Sequence, residues 1–146
     1  MTSTPETPTF AAKTSVSVEK TRVEIDTLLG KYGATSRGTM IAEKTAHVAF
    51  VIEGRRYRID VPLPDRRKFS SEKDYEQAQR TRWRCVLLLI KSKLEIVKLG
   101  MSTAEREFLA DLILPNGRTA GQELGDYMAK LLAEGYTAPL ALPETT

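Results

Sequence analysis

Apolar residues recur along this chain with two periods, and the points where the period changes divide it into elements. Within SVSVEKTRVEIDTLLGKYGA, residues Ile25, Leu28, Leu29 and Tyr32 stand three or four apart, the spacing of one helical face. Thr21 and Glu24 have the spacing of a capping box, and Gly33 supplies a left-handed stop. A first helix is predicted to end near Tyr32 and to begin between Ser17 and Arg22. From Thr39 the period becomes two. Met40 and Ala42 predict a short strand, Val48, Phe50 and Ile52 a second, and Tyr57, Ile59 and Val61 a third. Glu53-Gly54 reads as the hairpin turn between the last two. Pro62 and Pro64 end the sheet because proline cannot donate to a ladder. Arg56, Arg58 and Asp60 then share the face opposite the core.

The loop PDRRKFSS leads into the longest element, with Ser70 or Ser71 as N-cap and Glu72, Asp74 and Glu76 complementing the positive helix end. No proline or glycine interrupts it before Gly100, which allows about 40 Å of helix at roughly 1.5 Å per residue. Trp83, Leu87, Ile90, Leu94 and Val97 form one apolar stripe, and Cys85, Val86 and Leu89 widen it around Leu88. That width predicts a helix covered on more than one side. Arg80, Arg84, Lys91, Glu95 and Lys98 fall on a separate, mostly basic, solvent stripe. Two shorter helices are expected after it. Ser102 with Glu105 is a capping box ahead of Phe108, Leu109, Leu112 and Ile113; Thr119 with Gln122 is another ahead of Leu124, Met128, Leu131 and Leu132. Pro115-Asn116-Gly117 separates them as a turn, and Gly135 closes the second. Residues 1–14 and 137–146 carry little to bury and are expected to be a disordered tail and a loose end. The expected fold is one α+β domain over 15–136: an N-terminal helix, a three-stranded antiparallel β-meander, a long central helix and two shorter C-terminal helices.

Composition narrows the classes. A chain of 146 residues, 41% of them hydrophobic, is long enough for a single core without disulfides or a structural metal. One cysteine and one histidine exclude an internal disulfide and any metal cluster built from Cys and His. A reducing, cytosolic setting is expected. MTSTPETPTF lacks the basic start and apolar run of a secretory signal. The longest apolar run, Cys85 to Ile90, falls far short of the roughly 18 residues needed to cross a bilayer.

Catalytic chemistry finds little to work with. His47 is expected to be a hydrogen-bonded sheet residue, since a general base or metal ligand would need partners that the sequence does not supply. Cys85 sits in the most apolar part of the long helix and is expected in the core. Pro64-Asp65 invites comparison with PD-(D/E)XK nucleases, but there the second acid and the lysine lie on a following strand, whereas here a helix follows. Glu95 and Lys98 have the wrong spacing. Gly117 and Gly121 stand outside any phosphate-binding strand-to-helix pattern, and one histidine cannot build a nucleophile, base and acid set. No enzyme activity, cofactor or metal is therefore expected.

Charge changes the picture most. The net charge is only +3, yet residues 1–54 sum to zero, 55–98 carry thirteen basic against six acidic residues, and 99–146 carry three against seven. Arg55, Arg56 and Arg58 on the hairpin, Arg66, Arg67 and Lys68 in the loop, and Arg80, Arg84 and Lys91 on the long helix would line one surface if the hairpin folds beside the helix start. Such a surface suits phosphate oxygens, because several cations release condensed counterions together. Arginine, which predominates, favours bidentate contact, and Tyr57 or Phe69 would add stacking on unpaired bases. A competing explanation is a solvated face that only keeps the protein soluble.

The segments KTRVEIDTLLGKYGA, PLPDRR, RWRCVLLLIKSKLE and FLADLILPNGRT resemble small uncharacterised proteins encoded by bacteriophages and prophages, over roughly residues 17 to 120. The resemblance implies a phage or mobile-element setting, in which small non-catalytic proteins handle DNA or block host defences. The leading expectation is a non-catalytic DNA-binding accessory protein that grips backbone phosphate of single- or double-stranded DNA with low sequence specificity. The alternative is an inhibitor or adaptor that binds a host protein. Its acidic part, with Glu105, Glu107, Asp111, Glu123 and Asp126, would imitate nucleic acid or pair with the basic face of a second copy, making a homo-oligomer. PLALP near the end is a further docking candidate. No membrane contact is expected.

Overall fold

A computed structural model describes residues 10–135. Three antiparallel strands, β1 (Ser36–Ile41), β2 (Thr45–Ile52) and β3 (Arg55–Pro62), form a meander in the order β1-β2-β3. Helix α1 (Val18–Lys31) precedes them and α2 (Glu72–Lys98) follows; a four-residue α3 (Ala104–Glu107) and then α4 (Ala120–Ala133) complete the chain. This is the expected α+β arrangement. Ala46, Val48, Phe50 and Ile52 on β2 alternate with half-buried residues, and Tyr57, Ile59 and Val61 on β3 do the same. One sheet face is thereby committed to the core, where Ile25 and Leu29 of α1 and Trp83, Val86, Ile90 and Leu94 of α2 cover it. The hairpin turns at Glu53 and Gly54, both with positive φ, as the tight turn between twisted strands demands.

Helix α1 begins at the early end of the expected range. Ser17 is the N-cap, its hydroxyl accepting from the Lys20 amide at 3.1 Å. Thr21 and Glu24 are turned instead toward α2, where the Arg84 guanidinium donates to the Thr21 hydroxyl and, at 2.8 Å, to the Glu24 carboxylate. Tyr32 donates to Glu95 at the other end of the helix pair. Ala11 and Thr14 also lie against α2: the Ala11 carbonyl accepts from Thr81, and that of Thr14 from Gln77 and Arg80. The domain thus starts before residue 15. The remainder of the expected tail, residues 1–9, and the loose end 137–146 with its PLALP stretch lie outside the described residues.

Three expectations are corrected. In β1, Thr39 pairs with Val48 and Met40 with His47, so Met40 falls on the outer face and is exposed. A one-residue shift of register exchanges the two faces, and Met40 and Ala42 had been placed on the core side. Ser102–Glu105 does not start a full helix. Thr103 caps the single turn of α3, Phe108 plunges into the core beside Phe50 and Tyr57, and a 3-10 turn (Leu109–Asp111) follows. Leu112 then bridges to Tyr57, and the Ile113 amide donates to the Arg56 carbonyl at 2.9 Å. The open edge of β3 needed hydrogen-bond partners, and satisfying them prevails over the helical spacing of Leu109, Leu112 and Ile113. Finally, α2 is covered on one side only: Leu88 and Leu89 remain 43% and 44% exposed, and Cys85 is half-buried rather than core.

Candidate interaction surfaces

The nine cations of the basic block do not meet on one surface. Burial of Tyr57 and Ile59 turns Arg56 and Arg58 to the outer face of the sheet, while Arg84 and Lys91 belong to the helix layer on its other side. Five of the nine are matched to carboxylates of the same chain: Arg55 to Glu105, Arg58 to Asp60, Arg66 to Glu72, Arg67 to Asp65, and Arg84 to Glu24. Arg80 bonds to the Thr14 carbonyl and to Gln77, holding the N-terminal segment on α2. Among the described residues Arg56, Lys68 and Lys91 have no carboxylate partner. Only Arg66, Arg67 and Lys68 stay together, on the 3-10 turn (Arg66–Lys68) that leads toward α2, with the Arg67 side chain 86% exposed. Tyr57 is buried and presents no free ring face, while Phe69 is half-buried and packs in a T-shaped contact with Tyr75.

The other candidate groups resolve into structural roles. Asp65 caps that turn, accepting from the Arg67 amide at 3.0 Å, and the Arg67 guanidinium holds its carboxyl below the usual carboxylate range. Among the described residues no three His, Cys, Asp or Glu side chains cluster as metal ligands. No helix among them is long and apolar enough to cross a membrane. A cleft of about 410 Å³ opens between Tyr32, Ile52, Leu94 and Lys98.

His47 belongs to a network on the outer sheet face. Its Nδ1 lies 2.7 Å from Asp60 Oδ1, which also accepts from Arg58 Nε at 2.9 Å. Gln122 Nε2 donates to the second Asp60 oxygen, while Arg58 donates to Gln122 Oε1 and to the Gly117 carbonyl. This network joins β3 to the first turn of α4. The same turn carries a complete capping box, Thr119 with Gln122, and Gly121 packs so closely on Ala110 that a Cβ there would lie 3.1 Å from the Ala110 carbonyl oxygen. Ala120 is buried. Helix α4 is therefore fastened firmly at its start.

Beyond that turn α4 leaves the domain. Leu124, Tyr127, Met128, Leu131 and Leu132 share one arc of the helix, yet they are between 38% and 71% exposed. Sequence reasoning assigned four of these residues to a helix of the core and missed the fastening network. Periodicity marks a face that will be covered without saying by what. No protein-family model matches the chain, and neither a curated protein nor a solved structure matches it.

Proposed function

We propose that this chain is a non-catalytic protein-binding adaptor that engages its partner through the open apolar face of α4. The observation that carries this reading is a capped and braced helix whose five large apolar side chains face solvent. An apolar surface of this kind on a folded domain is costly to leave wet and marks a contact site. The polar margin of α4 holds Asp126 and Glu134 against the single Lys130, Glu123 being paired with Arg118 at 2.7 Å, so the complementary surface is apolar with a basic border. Replacing Leu124 and Leu131 by aspartate should leave the domain folded, within about 0.5 kcal/mol, since those side chains support little of it. The pair should abolish the complex that the wild type forms, either with itself in light scattering or with another protein in nuclease-treated pull-downs. A wild type that forms no complex in either assay, or a variant that keeps it, rejects the reading.

A second reading retains the backbone-phosphate expectation in narrower form, supported by the three adjacent cations Arg66, Arg67 and Lys68. Their carboxylate partners Glu72 and Asp65 are solvent-accessible, and a polyanion competes readily with such exposed pairs. Binding through three cations should fall with salt at a log–log slope of roughly −2 to −3. Salt-independent binding, or binding unchanged in the Arg66→Ala, Arg67→Ala double variant, excludes it.

A further inference from the structure

We infer that the partner of α4 is a second copy of this chain, and that each α4 lies along the outer face of the other copy's α2. The inference rests on the adaptor reading of α4 and adds its occupant. Trp83, Val86, Ile90 and Leu94 turn one side of α2 to the core. At about 100° per residue, Cys85, Leu88, Leu89, Ser92, Ile96 and Leu99 fall together on the opposite half. The Ser92 hydroxyl donates to the Leu88 carbonyl at 2.7 Å, so the proton of the one polar residue in this strip is engaged within the helix. Among the described residues, α2 thus has an apolar strip with no cover, and α4 has an apolar arc with no groove.

The two surfaces fit in length and in charge. The α4 arc from Leu124 to Leu132, about 12 Å, fits within the α2 strip from Cys85 to Leu99, about 21 Å. Lys91 flanks the α2 strip and has no carboxylate partner among the described residues, whereas Glu95 and Lys98 on the same flank are turned to Tyr32 of α1. The acidic margin of α4, Asp126 with Glu134, supplies one. Pairing α4 with α4 would instead set these carboxylates of one copy near those of the other. Taking about 200 Å² for a large apolar side chain, the open parts of the α4 arc sum to roughly 500 Å². Adding the α2 strip and doubling for two reciprocal contacts exceeds the ~1,000 Å² that a stable interface needs. A two-fold axis closes the exchange, because each copy gives one helix and receives one.

Light scattering and sedimentation equilibrium on the full chain test this directly. The wild type should sediment at twice the chain mass. Leu88→Asp with Leu89→Asp, and separately Leu124→Asp with Leu131→Asp, should each give monomers with unchanged circular dichroism. Mixing the two variants should restore a weaker heterodimer, since one intact α4 then meets one intact α2 while the reciprocal contact stays broken. Lys91→Glu, which leaves the apolar strip alone, should weaken the dimer about threefold or more. A monomeric wild type, dimeric variants, or failure of the mixture to associate overturns the inference, the last because α4–α4 or α2–α2 pairing cannot be rescued that way. A monomeric wild type whose α4 still captures another protein after nuclease treatment overturns the second copy alone. Loss of both overturns the adaptor reading too. Crosslinking between Cys85 and a cysteine placed by Met128→Cys should join two chains; a bond within one chain would show α4 folding back and would likewise overturn the inference.

Discussion

Helices α1 and α4 have fourteen residues each, begin at a capped hydroxyl and carry one apolar face, yet they meet opposite fates. Ile25 and Leu29 of α1 are wholly buried, and two partners on α2, Arg84 and Glu95, tie its ends down. The apolar face of α4 is the more pronounced of the two and stays open. The difference lies in what each helix meets. The face of a three-stranded sheet is filled once α1, α2 and Phe108 have packed on it, and a fourth cover finds no place. Amphipathic sequence therefore specifies a demand for cover, while topology decides whether the same chain can meet it.

Substitution should separate the two regions clearly. Truncating the core side of the α1–α2 pair, as in Trp83→Ala, should cost about 3 to 5 kcal/mol in urea unfolding. Ile25→Ala should cost about 2 to 5 kcal/mol, whereas the corresponding Leu132→Ala on α4 should stay within about 0.5 kcal/mol when measured on monomers. A cost at Leu132 equal to that at Ile25 would erase the contrast. Thr119→Ala removes half of the capping box and should loosen α4 by about 1 kcal/mol, seen as faster amide exchange confined to residues 120–133. Exchange spread over the sheet would show that α4 supports the core after all.

The smallest effect concerns Asp111, at the foot of α4. Burial pushes its carboxyl above the ordinary value of 3.8; nearby Lys93 partly offsets this, and Asp60 adds to it. A raised folded-state value means that the neutral form suits the fold, so the associated stability is present below the ordinary value and lost as pH rises through the folded one. Asp111→Asn should then stabilise the domain slightly at neutral pH and not at all at pH 3. Equal unfolding midpoints of variant and wild type at both pH values would remove burial as the cause.

Local signals in the sequence carried the strands, the hairpin, the long helix and the cap of α4, because each is written within a few neighbouring residues. The register of Met40 was not among them, since it depends on which residue of β2 lies opposite. Nor was the end of α3, where the unsatisfied edge of β3 draws Leu112 and Ile113 away from helical geometry. The fate of the basic block was illegible for a similar reason. Arg84 meets Glu24 and Arg55 meets Glu105, partners distant in sequence, while Arg58, Arg66 and Arg67 are matched by carboxylates two to six residues away that a segment sum counts without pairing. Net charge by segment thus overstated the positive surface.

Leu112 and Ile113 add to β3 only beside Arg56 and Tyr57. On the opposite rim, that of β1, the Arg22 guanidinium occupies the Thr39 carbonyl, at 3.2 Å, and binds the Thr39 hydroxyl. Each flank of the meander thus carries one local obstruction to the lateral addition of a further strand.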